Sequence, residues 1–167
     1  FIEWSEANSP EFIKGVNFPS NMLYYKALYE AGTFLNSDLY LIKAEKLKKA
    51  ILAQSFNGEF FEDNIIRNNG EFIRTGNISE TCQYFAFFSG VADVKAYKNL
   101  YENLLNNFGI YRDVKIVYPH IDKSNIITGL LMRLDLLNEQ GEFERAISET
   151  KDIFGVMAEK TGTLWEH

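Results

Sequence analysis

Three stretches of the chain are apolar on nearly every face of a helix. Each contains only one or two charged residues, and they cover residues 19–35, 79–91 and 124–137. Helices that are apolar on all sides are buried on all sides. We therefore predict three core helices at these positions.

Three further stretches are amphipathic. Apolar residues recur at helical spacings of three and four in residues 38–54, 94–108 and 142–157. In the last of these stretches, the predicted buried stripe is Phe143, Ala146, Thr150, Phe154 and Met157. Because an amphipathic helix covers a core with one face, we predict that these three helices lie outside the apolar ones.

Apolar and amphipathic helices alternate along the chain, and the link within each pair is short. The links are residues 36–37, 92–93 and 138–141. Short links make antiparallel neighbours. The pattern therefore predicts three α-hairpins, each with an inner, apolar helix and an outer, amphipathic one.

Turn and cap residues support these boundaries. The expected helix N-caps are Ser37, Ser79, Asp93 and Ser124. Asn69-Gly70 stands between two β-rich runs, and this dipeptide is typical of a two-residue hairpin turn. A small β-hairpin is therefore predicted in the first long connection.

The connections between hairpins are long, and each runs from an outer helix to the next inner helix. They cover residues 55–78 and 109–123, and the segments before residue 19 and after residue 159 have equivalent places. We expect these segments to gather at one rim, around the N-terminal ends of the inner helices. Helix N-termini favour anions and hydrogen-bond acceptors, and loops on a rigid scaffold are common positions for functional sites.

Three hairpins in an arc leave the two end helices without a neighbour on one flank. A closed ring of six hairpins would supply those neighbours, and the chain would then be half of the ring. An open helical solenoid and a compact six-helix bundle are the alternatives. The unequal connections argue against a solenoid, whose repeats have nearly constant length.

Charge and composition argue against several classes of partner. The net charge is −6 and the basic residues are scattered, so no nucleic-acid partner is expected. No apolar run approaches the roughly 18 residues of a membrane-spanning helix, so no membrane is expected either. Residues 1–10 lack the basic start and apolar segment of a signal peptide. A signal upstream would allow periplasmic or secreted export, so the compartment stays open.

No motif indicates a metal or a cofactor. His120, His167 and Cys82 have no recognisable metal-ligand spacing. The sequence contains neither a Walker loop nor GxGxxG. Cys82, beside the apolar run at residues 84–88, is expected to be an inert buried thiol.

Three short motifs precede expected inner helices: Phe1-Ile2-Glu3-Trp4, GVNFPSN at residues 15–21, and Thr163-Leu164-Trp165-Glu166. They resemble the acidic-Trp segment, a hairpin start and the Thr-x-Trp-Glu segment of bacterial α-L-rhamnosidases and related glycoside hydrolases. Glu3 stands where Asp is common in that family. The resemblance implies an all-α fold in which residues 1–167 form a single domain. That domain would be half of an (α/α)6 toroid and a fragment of a larger six-hairpin catalytic domain.

The same resemblance implies inverting hydrolysis of terminal sugars in glycans or glycosides. One carboxylic acid protonates the leaving oxygen, and a second carboxylate activates water on the opposite face. By resemblance, Glu166 falls on the general-base position, whereas the general acid belongs to a segment before Phe1. The chain alone is therefore expected to be inactive. The competing interpretation of Glu166 is an acid in the first turn of a following helix, stabilised by the helix dipole.

Two tryptophans and a second acid stand beside these motifs. Trp4 and Trp165 are interpreted either as core residues or as platforms for the apolar face of a sugar. Glu3 would then accept hydrogen bonds from the hydroxyl groups of that sugar.

Three further candidates lie on the expected rim, each with a structural alternative. His120 follows a proline in a loop, where a structural role competes with substrate binding. Glu80 lies in the first turn of an inner helix, so that stabilising the helix end competes with binding sugar. Asn17 either binds sugar or shapes the turn before Pro19.

Other functions stay open on the sequence alone. One is another six-hairpin glycosidase or lyase, and the other is a helical domain that binds a protein or peptide. Whether Trp4, Trp165 and Glu166 converge on a concave pocket would separate an enzyme from a binding domain. The exposed flank of a half ring also predicts self-association that mimics the missing half.

Overall fold

The chain is described here over residues 10–164 by a computed structural model. Its helices and strands are, in order, α1 (Pro10–Ile13), β1 (Val16–Asn17), α2 (Phe18–Phe34), α3 (Asp38–Ser55), β2 (Asn64–Asn68), β3 (Glu71–Arg74), α4 (Glu80–Phe88), α5 (Lys98–Asn107), α6 (Leu131–Glu139), α7 (Phe143–Thr150) and α8 (Val156–Thr161). A π-helical turn at Ile126–Leu130 leads into α6, and another at Lys151–Gly155 joins α7 to α8.

Three α-hairpins are present, as the alternation of apolar and amphipathic segments predicts. Helix α2 packs against α3, and α6 packs against α7. In the middle hairpin, α5 contributes Leu100, Tyr101 and Leu104 to the same core as α4. The inner helices α2, α4 and α6 lie side by side, with α4 in the centre.

Burial differs between the central and the flanking inner helices. Every residue from Glu80 to Phe87 in α4 is buried. By contrast, α2 exposes Leu23, Tyr24 and Phe34, and the side chain of Phe34 is 88% exposed. The two end helices therefore lack a neighbour on one flank, as three hairpins in an arc imply. Among the described helices, only α4 has an inner helix on both sides, so α2 and α6 keep an apolar face in solvent.

The predicted β-hairpin is confirmed, and a third strand pairs with it. Asn69 and Gly70 have φ values of 49° and 88°, so both central turn residues are in the left-handed region that this turn requires. Strand β3 pairs antiparallel with β2, and β1 pairs with the other edge of β2 in the register Val16↔Ile65. Strand β1 has two residues, too few for a periodic pattern in the sequence.

Two of the four expected caps, Ser37 and Ser79, are N-cap residues, and the other two, Asp93 and Ser124, are not. The Ser79 hydroxyl accepts a hydrogen bond from the Cys82 N–H, as an N-cap does. Asp93 instead caps the turn at residues 94–97 that leads directly into α5, and Ser37 is the N-cap of α3 without a side-chain cap bond. Asn125, not Ser124, caps the helical segment before α6 through the Thr128 N–H.

The buried face of α7 is the main error in the sequence prediction. Thr150 is exposed, and Phe143 is 57% exposed. The buried positions of α7 and its continuation are Glu149, Ile153 and Met157, of which only Met157 is in the predicted stripe, and Phe154 is half-buried. Glu149 can occupy this face because two arginines neutralise its carboxylate.

Candidate functional site

The connecting segments that precede the inner helices meet at one end of the helix layer. Asn64 Nδ2 donates to the Glu11 carbonyl at 2.7 Å and to the Lys14 carbonyl at 2.8 Å. The Asp122 N–H donates to the Ile78 carbonyl at 3.0 Å. We call residues 10–17, 61–79 and 120–125 the rim. Their contacts confirm that the N-terminal ends of α2, α4 and α6 share one side of the chain.

Asp63 holds the centre of the rim together. Its carboxylate is inaccessible to solvent and accepts hydrogen bonds from Ser79 N (2.6 Å) and Ser79 Oγ (2.7 Å). The Asp63 carbonyl also accepts from the Phe18 N–H at 2.7 Å, at the start of α2. A carboxylate at the N-terminus of α4 is favoured by the helix dipole. One acidic residue therefore fixes the relative positions of two inner helix starts, and the sequence analysis did not identify it.

Glu80 lies at the rim in the first turn of α4, but its carboxylate is buried and bound within the chain. Oε1 accepts from Gly109 N at 2.7 Å and from Tyr84 Oη at 2.5 Å. Oε2 accepts from Arg112 Nη1 at 2.8 Å. Glu80 therefore anchors the loop that follows α5. A direct contact between Glu80 and a sugar stays a prediction and would use the remaining acceptor capacity of Oε2.

Arg112 clamps that loop from the other side. Its Nη2 donates to the carbonyls of Tyr118 (3.2 Å) and Ile121 (2.7 Å), and its guanidinium lies 5.0 Å from the centre of the Phe108 ring. Buried bonds to a charged donor are stronger than neutral ones. The loop at residues 109–121 is therefore held at both ends, and the clamp fixes the backbone on both sides of His120.

His120 is exposed on this loop. Its ring meets the Tyr118 ring edge to face, with the ring centres 6.2 Å apart. Its exposure allows contact with a ligand at the rim, so the predicted binding role stays a prediction.

Asn17 is the N-cap of α2. Its Oδ1 accepts from Ser20 N at 2.9 Å, and its carbonyl accepts from Asn21 Nδ2 at 2.7 Å. Asn17 therefore shapes the turn before Pro19, which was one of its two predicted roles. Its amide is half-buried at the rim, where the second role, sugar binding, stays a prediction.

The remaining predicted site residues lie outside the described residues: Glu3, Trp4, Trp165 and Glu166. The last described helix before Trp165 and Glu166 is α8, which ends where Gly162 takes a left-handed φ of 71°. Whether the two tryptophans and Glu166 converge on a pocket stays a prediction.

A second charged cluster, which the sequence analysis missed, crosses the core between α4 and α7. Arg133 is 1% exposed and donates to Glu149 through Nε (2.7 Å) and Nη2 (2.9 Å). Its Nη1 also lies 3.2 Å from Tyr84 Oη, and Tyr84 in turn bonds to Glu80. Burial raises the pKa of Tyr84, so its hydroxyl stays protonated. A continuous polar network therefore runs from the rim to the third hairpin.

Gly109 makes room for this network. A Cβ added at Gly109 would lie 2.4 Å from Arg133 Nε, and its φ of +83° is in the region that favours glycine. Arg133, one of two charged residues in a largely apolar segment, was the signal in the sequence. Its partner is 16 residues away, so local spacing could not identify it.

Metal binding and membrane insertion find no support in the part of the chain that is described. Within residues 10–164, no group of three His, Cys, Asp or Glu side chains is arranged to hold a metal ion. Over the same residues, every helix is too short or too polar to cross a bilayer. Cys82 is buried, and burial followed by the charges of Asp63 and Glu62 raises its thiol pKa.

Comparison with solved structures gives a match over nearly the whole chain. The chain superposes on the crystal structure of a GH78 family rhamnosidase of Bacillus sp. GL1 with a TM-score of 0.79 and 18% sequence identity. The match covers 99% of this chain and 17% of the length of that rhamnosidase. No protein-family profile matches the sequence. No curated protein matches it significantly either. The three hairpins and the small antiparallel sheet thus match part of a six-hairpin, glycoside hydrolase-like fold, as the motif resemblance implied.

Proposed function

We propose that the chain is part of a glycoside hydrolase of the α-L-rhamnosidase type, which removes terminal sugars from glycans or glycosides with inversion. The observation that supports this proposal is the structural match to a rhamnosidase over 99% of the chain. The short motifs at residues 1–4, 15–21 and 163–166, which resemble segments of that family, also support it. Three of six hairpins would then come from this chain and three from the rest of a longer protein.

The proposed chemistry uses two carboxyl groups on opposite faces of the sugar. Glu166 takes a proton from water as the water oxygen attacks the anomeric carbon. The bond to the leaving oxygen breaks at the same time, and a carboxylic acid outside this chain protonates that oxygen. Trp4 and Trp165 would stack on the sugar, while Glu3 accepts hydrogen bonds from its hydroxyl groups. Asn17, Glu80 and His120 would add polar contacts from the rim.

Hydrolysis of a panel of nitrophenyl glycosides tests this proposal. The protein expressed from its complete gene should cleave the α-L-rhamnoside, and the 167-residue chain alone should cleave none because it lacks the acid. The measurement is release of nitrophenol under identical conditions. If the complete protein cleaves no glycoside, the proposed function is wrong. If the chain alone is as active as the complete protein, the location of the acid is wrong.

The exposed flanks predict how the isolated chain behaves. One flank carries Phe34, Leu39 and Ile42 on α2 and α3, and the other carries Phe143 and Ile147 on α7. Two copies placed flank to flank would bury both faces and close a ring of six hairpins. We expect light scattering to give a mass near twice 19.3 kDa for the isolated chain.

A double substitution distinguishes this dimer from non-specific association. Leu39→Lys with Ile42→Lys should return the mass to that of one chain, because charges would enter the interface. Val114→Lys, at an apolar position on the rim-side loop that is 87% exposed, is the matched control and should leave the dimer intact. A wild-type chain that stays monomeric across a concentration series would contradict the pairing.

A further inference from the structure

A cavity of about 430 Å³ lies between the turn that follows α3 and the first half of α5. The residues that line it include Phe56, Glu59, Tyr97, Asn99, Leu100 and Asn103. Phe56 and Glu59 lie in the connection after α3, just before the rim segment that begins at residue 61, and the other four lie in or beside the first half of α5. The described lining of the cavity therefore comes from the first two hairpins and the turn between them.

The floor of the cavity is aromatic and apolar. The rings of Phe56 and Tyr97 meet edge to face with centres 5.0 Å apart, and Tyr97 also packs 5.5 Å from the ring of Phe61. Both floor rings are half-buried, while Leu100 beneath them is buried. Burial, and then the charge of Asp93, raises the pKa of Tyr97. The floor is thus a rigid surface of the kind on which the C–H face of a sugar ring stacks.

The polar wall is fixed by hydrogen bonds before any ligand arrives. The Tyr118 hydroxyl lies 3.1 Å from Glu59 Oε1 and 3.2 Å from Asn103 Oδ1, and its single proton is donated to one of these acceptors at a time, so it links the two walls. Asn107 Nδ2 also donates to Asn103 Oδ1 at 3.1 Å. Both contacts use the oxygen of the Asn103 amide, which orients its NH2 group as a donor for a ligand.

The turn that carries Glu59 is equally constrained. Asn57 Oδ1 accepts from the N–H groups of Glu59 (3.0 Å) and Phe60 (2.9 Å). Gly58 has a φ of 108°, a conformation that favours glycine. The Glu59 carboxylate is therefore held at the mouth, with Oε2 available to accept hydrogen bonds.

The balance of groups selects the class of ligand. One carboxylate (Glu59), one ammonium (Lys98) and two carboxamides (Asn99 and Asn103) surround the aromatic floor. Lys98 also pairs with Glu102 at 3.5 Å, and because these charges are exposed to solvent, neither an anion nor a cation gains a strong attraction. A neutral ligand with several hydroxyl groups matches both the donors and the acceptors, and the volume falls in the range of small-molecule sites. We propose that this cavity is a secondary saccharide-binding site on the outer face, separate from the rim.

Blocking the cavity tests the proposal in the protein expressed from its complete gene. Asn99→Trp places an indole in the cavity from an exposed helical position, so folding should be retained. Lys95→Trp, exposed on the same segment but outside the cavity, is the matched control. Equilibrium dialysis with radiolabelled L-rhamnose, D-glucose, D-galactose and N-acetyl-D-glucosamine measures the moles of each sugar bound per mole of protein at saturation.

For at least one of the four sugars, we expect the wild type and Lys95→Trp to bind one mole more than Asn99→Trp. Glu59→Gln should bind that sugar several-fold more weakly, because a charge-assisted hydrogen bond is lost. Equal stoichiometry in wild type and Asn99→Trp for all four sugars would overturn the proposal. Nitrophenyl glycoside hydrolysis should be unchanged in Asn99→Trp. A failure of the proposed catalytic function would show in that assay and would not alter the moles of sugar bound per mole of protein.

Discussion

Replacing Glu149 with glutamine is expected to lower the free energy of unfolding of the chain by about 3–5 kcal/mol, because two guanidinium groups would then face a neutral amide in the core. Glu149 is inaccessible to solvent. It accepts hydrogen bonds from Arg133 Nε at 2.7 Å and Nη2 at 2.9 Å, and from Arg145 Nε at 2.9 Å. Urea unfolding followed by circular dichroism measures the change.

The matched control is Glu144→Gln, an exposed acid on the same helix, for which the change should stay within about 0.5 kcal/mol. The double variant Arg133→Met with Glu149→Leu should be less destabilised than Glu149→Gln alone, since it removes a buried charge together with its partner. Equal stability of Glu149→Gln and Glu144→Gln would show that the cluster does not hold the third hairpin in place.

The pH dependence separates charge from packing in the same variant. Burial raises the pKa of Glu149, but the hydrogen bond and charge of Arg133, and then those of Arg145, outweigh it and leave the pKa below its ordinary value. Such a group stabilises the fold above its unfolded pKa, about 4.3, and loses this effect as the pH falls through the folded pKa. The difference in unfolding free energy between wild type and Glu149→Gln should therefore be largest near neutral pH and become smaller in acid. A difference that persists unchanged in acid would assign the effect to packing.

This cluster also shows where prediction from the sequence ends. The hairpins followed from local information, because apolar periodicity and short links depend on residues that are close in sequence. The Asn69-Gly70 turn did so for the same reason. The burial of Glu149 could not be predicted in this way, because a polar residue on a helix is assigned to solvent unless its partner is known. That partner, Arg133, lies on another helix, and the pair forms only once α6 and α7 have packed.

Some features of the rim could likewise be predicted from the sequence, and others could not. Its location followed from the order of long and short connections, and Asn17 was recognised as a turn residue from the following Pro19. The anchoring of Glu80 by Arg112 could not be predicted, because the two side chains are 32 residues apart in the sequence. Asp63 was also missed, since nothing near it in sequence marks it as the acceptor for Ser79. Which rim side chains bind other groups of the same chain therefore depends on polar pairs between residues that are distant in the sequence.

Glu166→Gln in the complete protein is expected to lower kcat for the α-L-rhamnoside by roughly 10²–10⁴-fold, the usual contribution of a general base. The amide keeps the shape of the side chain but cannot take a proton from water. Glu159→Gln is the matched control, because Glu159 is an exposed acid on α8, seven residues before Glu166. Circular dichroism and thermal unfolding of both variants should agree with the wild type.

Azide distinguishes a missing base from a disturbed helix start. Azide is already a strong nucleophile and needs no base, so it can attack the anomeric carbon from the face that water would use. The carbon–nitrogen bond forms as the bond to the leaving oxygen breaks, and the unchanged general acid protonates that oxygen. Glu166→Gln should therefore regain nitrophenol release in azide and yield the inverted glycosyl azide. If Glu166→Gln keeps wild-type kcat, or loses activity that azide cannot restore, then Glu166 acts at the start of a helix and the base lies elsewhere.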